Sequence, residues 1–175
     1  MQLFKGDYLL TGKHATYAEF LKDTMHIYET VYDVFINAAI VGYLYDRRAD
    51  KDTTSTATKR IFAEKIIKGR DECMRIYRLI TILSYKDLGE EECLNRAFRY
   101  ESDDEKQDIV EECYENFEAY MRGGIEYLYE QLNQGCTSEE DYMMRSFEIV
   151  EKFYNELKNM DYDKQIAAPL EEPIY

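Results

Sequence analysis

The stretch IYETVYDVFINAAIVGYLY, residues 27–45, is the most apolar part of the 175-residue chain and decides its fold class. The polar side chains of Glu29, Asp33 and Asn37 recur every four residues within it. In an α-helix that spacing confines them to one narrow stripe and leaves the remaining surface apolar. The stretch therefore predicts a helix that lies at the centre of a bundle or is shared with a partner chain.

Apolar residues on both sides of this stretch recur at alternating spacings of four and three, as in helices with one buried seam. A capping box at Thr16–Glu19 predicts that a first helix begins there and runs to about His26. Further helices are predicted over 58–84, over 89–98, behind a capping box at 102–105 and behind a cap at Ser138. Their apolar seams are Phe62, Ile66, Gly69, Cys73, Ile76, Ile80 and Leu83; Val110, Cys113, Phe117, Tyr120, Gly124, Leu128 and Leu132; and Met143, Phe147, Val150, Phe153 or Tyr154, and Leu157.

Together these segments predict an all-α fold, a bundle of five or six helices of which several are long and coiled-coil-like. We expect one helical domain over 1–160 and an extended tail over 161–175, where both prolines lie. The opening residues 3–11 read as a short strand or an extended arm. The pair Gly123-Gly124 either weakens its helix or lets another backbone come close.

The sequence predicts a cytoplasmic protein without a membrane segment. It contains no apolar run of the ~18 residues needed to span a bilayer, and its N-terminus lacks a signal pattern. The four cysteines form no Cys-x-x-Cys pair, so we expect reduced core residues rather than a zinc site.

No recognisable catalytic or nucleotide-binding motif is present, so we predict no catalytic residue, no cofactor and no metal site. An Asp-x-x-His motif occurs once, at Asp23–His26, whereas a di-iron bundle needs a Glu-x-x-His motif on two helices. An enzyme that uses His26, Asp33 or Glu111 nevertheless stays an alternative, because assembled carboxylates can serve as acids and bases.

Charge is distributed unevenly along the chain. The net charge is −14, with 11 Lys/Arg and 9 Asp/Glu in residues 1–70 but 11 Lys/Arg and 27 Asp/Glu in residues 71–175. Carboxylates over 101–118 suit an acidic mimic of DNA that binds a basic protein. A basic loop region over 46–70 could instead contact phosphates, or could be a surface loop balanced by the acidic half. The candidate phosphate contacts are Arg47, Arg48, Lys51, Lys59 and Arg60.

The leading hypothesis is a non-catalytic protein–protein interaction module. It would bind a protein partner or a second copy of itself through the apolar helix, and a homo-oligomer is the expected state. The helix has too little polar surface for a fully exposed position. The predicted interface residues are Ile27, Val31, Val34, Phe35 and Tyr43.

Two stretches carry a resemblance to known proteins. FKGDYLLTGKHATY, residues 4–17, and NAAIVGYLYDRR, residues 37–48, resemble small all-helical accessory proteins encoded in bacterial operons of the anti-phage defence type. The resemblance covers about a third of the chain and includes no catalytic motif. It implies an accessory subunit of a larger assembly and transfers no functional residue.

Overall fold

Helices make up most of the computed structural model, which describes residues 2–158. This part of the chain contains seven α-helices and one two-stranded sheet, so the all-α prediction is confirmed. The elements are β1 Tyr8–Thr11, α1 Gly12–Glu19, α2 Val31–Leu44, β2 Thr58–Ile61, α3 Ala63–Lys68, α4 Arg70–Ser84, α5 Glu90–Leu94, α6 Gln107–Asn133 and α7 Glu139–Lys158.

Internal contacts divide the described residues into two compact units, 2–131 and 132–158. One domain over 1–160 stays a prediction. The tail predicted over 161–175 lies outside the described residues. None of the helices within residues 2–158 combines the length and the hydropathy of a membrane-spanning segment.

The two strands pair antiparallel, with Tyr8 opposite Ile61 and Thr11 opposite Thr58. The short strand expected near the N-terminus is therefore confirmed. The prediction of one helix beginning at Thr58 is wrong, because β2 occupies that position and the helix begins at Ala63. Pairing with β1, more than forty residues earlier in the chain, determines the conformation here, and the local helical pattern does not reveal it.

Helix α1 begins at Gly12, four residues before the predicted capping box. Gly12 has a φ of +60°, which favours glycine, and a Cβ there would lie 2.2 Å from the Asp52 carboxylate. That carboxylate accepts a hydrogen bond from the backbone N–H of Lys13. The cap therefore comes from a distant loop rather than from Thr16. A π-helical turn over Phe20–Thr24 then extends α1 close to its predicted end.

Helix α2 begins with a capping box that the sequence reading missed. The Thr30 hydroxyl accepts a hydrogen bond from the Asp33 N–H, and the Asp33 carboxylate accepts one from the Thr30 N–H at 2.8 Å. Nine of the fourteen residues of α2 are buried, so the chain itself encloses most of this helix. They are Val31, Tyr32, Val34, Phe35, Ile36, Ala38, Ala39, Val41 and Gly42.

Small residues let the backbones of α2 and α6 touch. A Cβ added at Gly124 would lie 1.8 Å from the Ala38 carbonyl oxygen, and one at Gly42 would lie 1.9 Å from the Tyr120 carbonyl oxygen. Helix α6 runs without a break through Gly123 and Gly124. Of the two alternatives for this glycine pair, the close approach is the one observed.

The seam predicted over 62–83 is interrupted at Gly69, where α3 ends and α4 begins. The Tyr32 hydroxyl donates to the Gly69 carbonyl at 3.0 Å, and a Cβ at Gly69 would lie 2.1 Å from that hydroxyl oxygen. The two ends of the predicted seam are exposed: Phe62, before α3, by 66% and Leu83, in the last turn of α4, by 38%. The buried members are Ile66, Cys73, Ile76 and Ile80.

Helix α6 supplies much of the core, as its predicted seam requires. All seven seam residues, from Val110 to Leu132, are buried. The Phe117 ring lies at the centre, with its centroid 5.6 Å from that of Phe4, 5.7 Å from Phe35 and 6.1 Å from Tyr77. Such edge-on aromatic pairs add to the stabilisation from burial itself.

Candidate functional site

The predicted interface residues of α2 separate into enclosed and accessible groups. Val34 and Phe35 are fully buried and Val31 is 7% exposed. For these three residues the prediction is corrected, because their apolar surface is covered by the chain itself. Ile27 lies before α2 and is 37% exposed, while Tyr43 is half-buried with its ring 5.3 Å from that of Tyr120.

The predicted phosphate contacts lie on two separate segments, and most face a group of the chain itself. After α2, Arg47 donates to Glu130 at 2.8 Å and the Arg48 guanidinium lies 4.5 Å above the Tyr120 ring. On β2, Lys59 contacts the Glu19 carboxylate at 2.6 Å. Arg60, also on β2, contacts the Asp7 carboxylate at 3.3 Å. Lys51 is exposed. Phosphate binding stays a prediction for these residues.

A shallow cavity of about 350 Å³ lies beside this loop. Lys13, Arg48 and Lys51 line it together with the carboxylates of Asp50, Asp52 and Glu126, and with Ala49. Hydrogen bonds from the backbone of Lys13 and from Thr54 lower the pKa of Asp52 to about 2. Three cations and three carboxylates balance here, so the lining has no net charge to attract a phosphate.

His14 forms a buried polar contact that the sequence reading missed. Its Nε2 lies 2.8 Å from Oε1 of Glu126, which also accepts from Lys13 at 3.0 Å. The ring is 1% exposed, and its Nδ1 has no hydrogen-bond partner among the described residues. Burial lowers the pKa of His14 despite the opposing effect of Glu126. The pairing joins α1 to α6, 112 residues apart, so no local motif could have indicated it.

The residues proposed for an enzyme are engaged elsewhere or exposed. Asp33 caps α2, whereas His26 is an exposed residue with a φ of +52°. Glu111 is exposed on α6. Over residues 2–158, no group of three or more His, Cys, Asp or Glu side chains is arranged to hold a metal ion.

Several carboxylates of the predicted DNA mimic are paired with arginines. Glu101 accepts from Arg70 at 3.1 Å, Glu112 contacts Arg96 at 3.3 Å, and the carboxylate of Glu118 contacts Arg122 at 3.3 Å. Paired carboxylates present less negative potential than a row of isolated ones. DNA mimicry stays a prediction.

The most unusual surface is the outer face of α7, which we call the α7 seam: Met143, Phe147, Val150 and Tyr154. These residues follow the four-three spacing of a helix-packing seam, yet they are exposed by 63%, 70%, 62% and 61%. The sequence predicted these residues as the apolar face of the last helix. The neighbouring face of α7 is the covered one, with Ile149 buried and Tyr142, Ser146 and Phe153 half-buried.

Helix α7 starts at a well-formed cap, which confirms the prediction at Ser138. The Asp141 N–H donates to the Ser138 hydroxyl at 3.2 Å, and the Asp141 carboxylate accepts from the Ser138 N–H at 2.9 Å. Hydrogen bonds from Thr137 and Ser138 lower the pKa of Asp141. The cap fixes where the helix begins and hence which side chains share the exposed face.

Residues 13–165 match the family model described as DNA sulphur modification system-associated protein 4. The chain belongs to this family. Membership confirms the coarser part of the resemblance, an accessory protein of a bacterial DNA modification operon. No curated protein and no solved structure matches the chain. In this member of the associated protein 4 family, both the His14–Glu126 contact and the α7 seam lie within the matched residues.

Proposed function

We propose that this chain is a non-catalytic, cytoplasmic subunit that works by binding another protein of a DNA sulphur modification system. Family membership supports the accessory role. The observation that carries the proposal is the α7 seam, together with Met144, which is 67% exposed beside it. Five large apolar side chains within twelve residues of one helix form a patch that is typical of a protein-binding surface.

The energetics favour a covered state for this face. Burying a Val, Met or Phe side chain stabilises an assembly by about 1.5–3 kcal/mol relative to full exposure. The four residues of the α7 seam lie on one side of the helix, so a single partner surface can cover all of them. Aromatic and methionine side chains are also enriched at protein interfaces, which fits Phe147, Tyr154 and Met143.

Direct binding to DNA is the less favoured mode. The chain carries a net charge of −14, which repels the phosphate backbone over long range. Four of the five predicted phosphate contacts, all but Lys51, contact carboxylates or rings of the chain itself. We therefore propose that the partner protein, rather than this chain, contacts the DNA.

Co-expression tests the proposal. The tagged chain is produced with each other protein of the DNA sulphur modification system of the same cell, and complexes are measured by size-exclusion chromatography with light scattering. We expect one component to co-elute in fixed stoichiometry and to stay bound at about 0.5 M salt, because apolar contacts resist screening. If every component elutes separately, the proposal is wrong; if a complex forms but dissociates steeply with salt, acidic mimicry replaces it.

A further inference from the structure

The α7 seam is bordered by carboxylates on its solvent side. Glu151 lies four residues after Phe147 and three before Tyr154, and Glu140 precedes Met143 by three residues. On a helix these spacings place side chains next to each other. Both carboxylates are exposed. Lys158 ends this edge, four residues after Tyr154 and with its Nζ 5.9 Å from the centroid of the Tyr154 ring. The outer face of α7 is therefore an apolar row with an edge that is acidic from Glu140 to Glu151, which we call the acidic edge.

We infer that this face binds an amphipathic helix of the partner protein whose apolar seam is flanked by lysines or arginines. The inference rests on the proposed function and specifies the chemistry of the partner. The apolar row would pack against the apolar seam of that helix, while the acidic edge would face its cations. Charges flanking a helix seam select which partner packs there and in which orientation.

The spacing of the row favours a helix as the occupant. Residues 143, 147, 150 and 154 alternate four and three, the repeat with which side chains of two helices interdigitate. The row extends over about 17 Å at the rise of 1.5 Å per residue, which is about three helical turns. A strand, with its repeat of two, would match only part of it.

Charge disfavours a second copy of this chain as the occupant. A copy packed face to face would bring the same acidic edge, and the whole chain adds a net charge of −14 on each side. Like charges across an interface oppose association. A basic helix removes this repulsion and replaces it with attraction, so the acidic edge distinguishes between the two occupants.

Two synthetic peptides test the inference with the full-length chain. Both are amphipathic helices of about 21 residues with the same Leu/Ile seam at four-three spacing; one carries Lys and Arg at the flanking positions and the other carries Glu. Binding is measured by fluorescence anisotropy at about 0.15 M salt. We expect the basic peptide to bind at least about tenfold more tightly than the acidic one.

Charge-neutral variants separate docking on the seam from general attraction to an acidic protein. Phe147→Gln with Val150→Gln should weaken the basic peptide by about tenfold or more, because two buried apolar contacts are lost. The matched control is Leu79→Gln, on α4, where the leucine is also exposed, by 54%; it should leave the affinity unchanged. Glu140→Lys with Glu151→Lys should reduce the preference for the basic peptide, because the edge beside the seam then carries cations.

Each remaining outcome decides against the inference. Equal affinity for the two peptides, or an unchanged affinity in the glutamine double variant, would show that the seam does not bind a basic helix selectively. A dimer of the wild-type chain that the same double variant abolishes would make a second copy the occupant. If the double variant still co-elutes with a component of the modification system, the proposed function stands and this surface is wrong.

Discussion

Helices α2 and α7 differ in a way that reverses the expectation from their sequences. Helix α2 is by far the more apolar, yet Val34 and Phe35 have no exposed surface. Helix α7 has an ordinary amphipathic composition, yet Phe147 and Val150 are more than 60% exposed. The apolar content of a helix therefore indicates how much surface must be covered but does not say whether the chain itself covers it.

Side-chain size accounts for part of the difference. Helix α2 presents Ala38 and Gly42 to α6, and such small residues allow two backbones to touch within one chain. The α7 seam contains no residue smaller than Val150, and large side chains keep a neighbouring backbone at a distance. Small residues within an apolar helix are thus a better sign of internal packing than the apolar residues around them.

The largest expected change in stability tests whether α2 is enclosed while the α7 seam is exposed. Phe35→Ala should lower the free energy of unfolding by about 3–5 kcal/mol, because it leaves a cavity among packed rings. Phe147→Ala, the same substitution at an exposed position, should change it by less than about 0.5 kcal/mol. Urea unfolding followed by circular dichroism measures both. Similar losses for the two variants would show that α7 is enclosed as α2 is.

The contact between α2 and α6 provides the next largest effect. Gly124→Val should destabilise the chain by about 3 kcal/mol or more, because its Cβ would meet the Ala38 carbonyl and the backbones must separate. Gly6→Ala is the control, since a Cβ at Gly6 meets nothing within 4 Å; it should stay within about 0.5 kcal/mol of the wild type. Thermal unfolding measures the difference. An unchanged melting temperature for Gly124→Val would show that the stability of the chain does not depend on close approach of the α2 and α6 backbones.

Removing the cap of α2 should lower the free energy of unfolding by a smaller amount. Thr30→Ala removes the hydroxyl that accepts from the Asp33 N–H and should cost about 1 kcal/mol. Thr56→Ala, in the exposed loop before β2, should have almost no effect. Urea midpoints of the two variants give the measurement. A loss at Thr30 no greater than at Thr56 would mean that packing alone fixes where α2 begins.

The sequence predicted the features that depend on local periodicity. The seam of α6, the cap at Ser138 and the helical class were all read correctly, because four-three spacing and capping residues act within one element. The start of α1 and the strand β2 were missed, because Asp52 and β1 determine them from about forty and about fifty residues away. The spacing in α7 predicted its apolar face but does not indicate whether another part of the chain covers that face.

The smallest expected effect concerns the pH dependence of stability, which we attribute to His14 at the contact between α1 and α6. Burial lowers the pKa of His14 below the ordinary value of 6.5, so the unfolded chain takes up this proton first as the pH falls. The stability of the unit that contains His14 should therefore decrease as the pH falls through 6.5, and urea midpoints at pH 7.5, 6.5 and 5.5 measure it. His14→Gln should flatten this dependence, whereas His26→Gln, at an exposed position, should preserve it. An unchanged slope in His14→Gln would mean that another group carries the pH dependence. His14 is not part of the α7 seam. Its protonation should therefore leave the affinity of the basic peptide for that seam unchanged between pH 7.5 and 5.5.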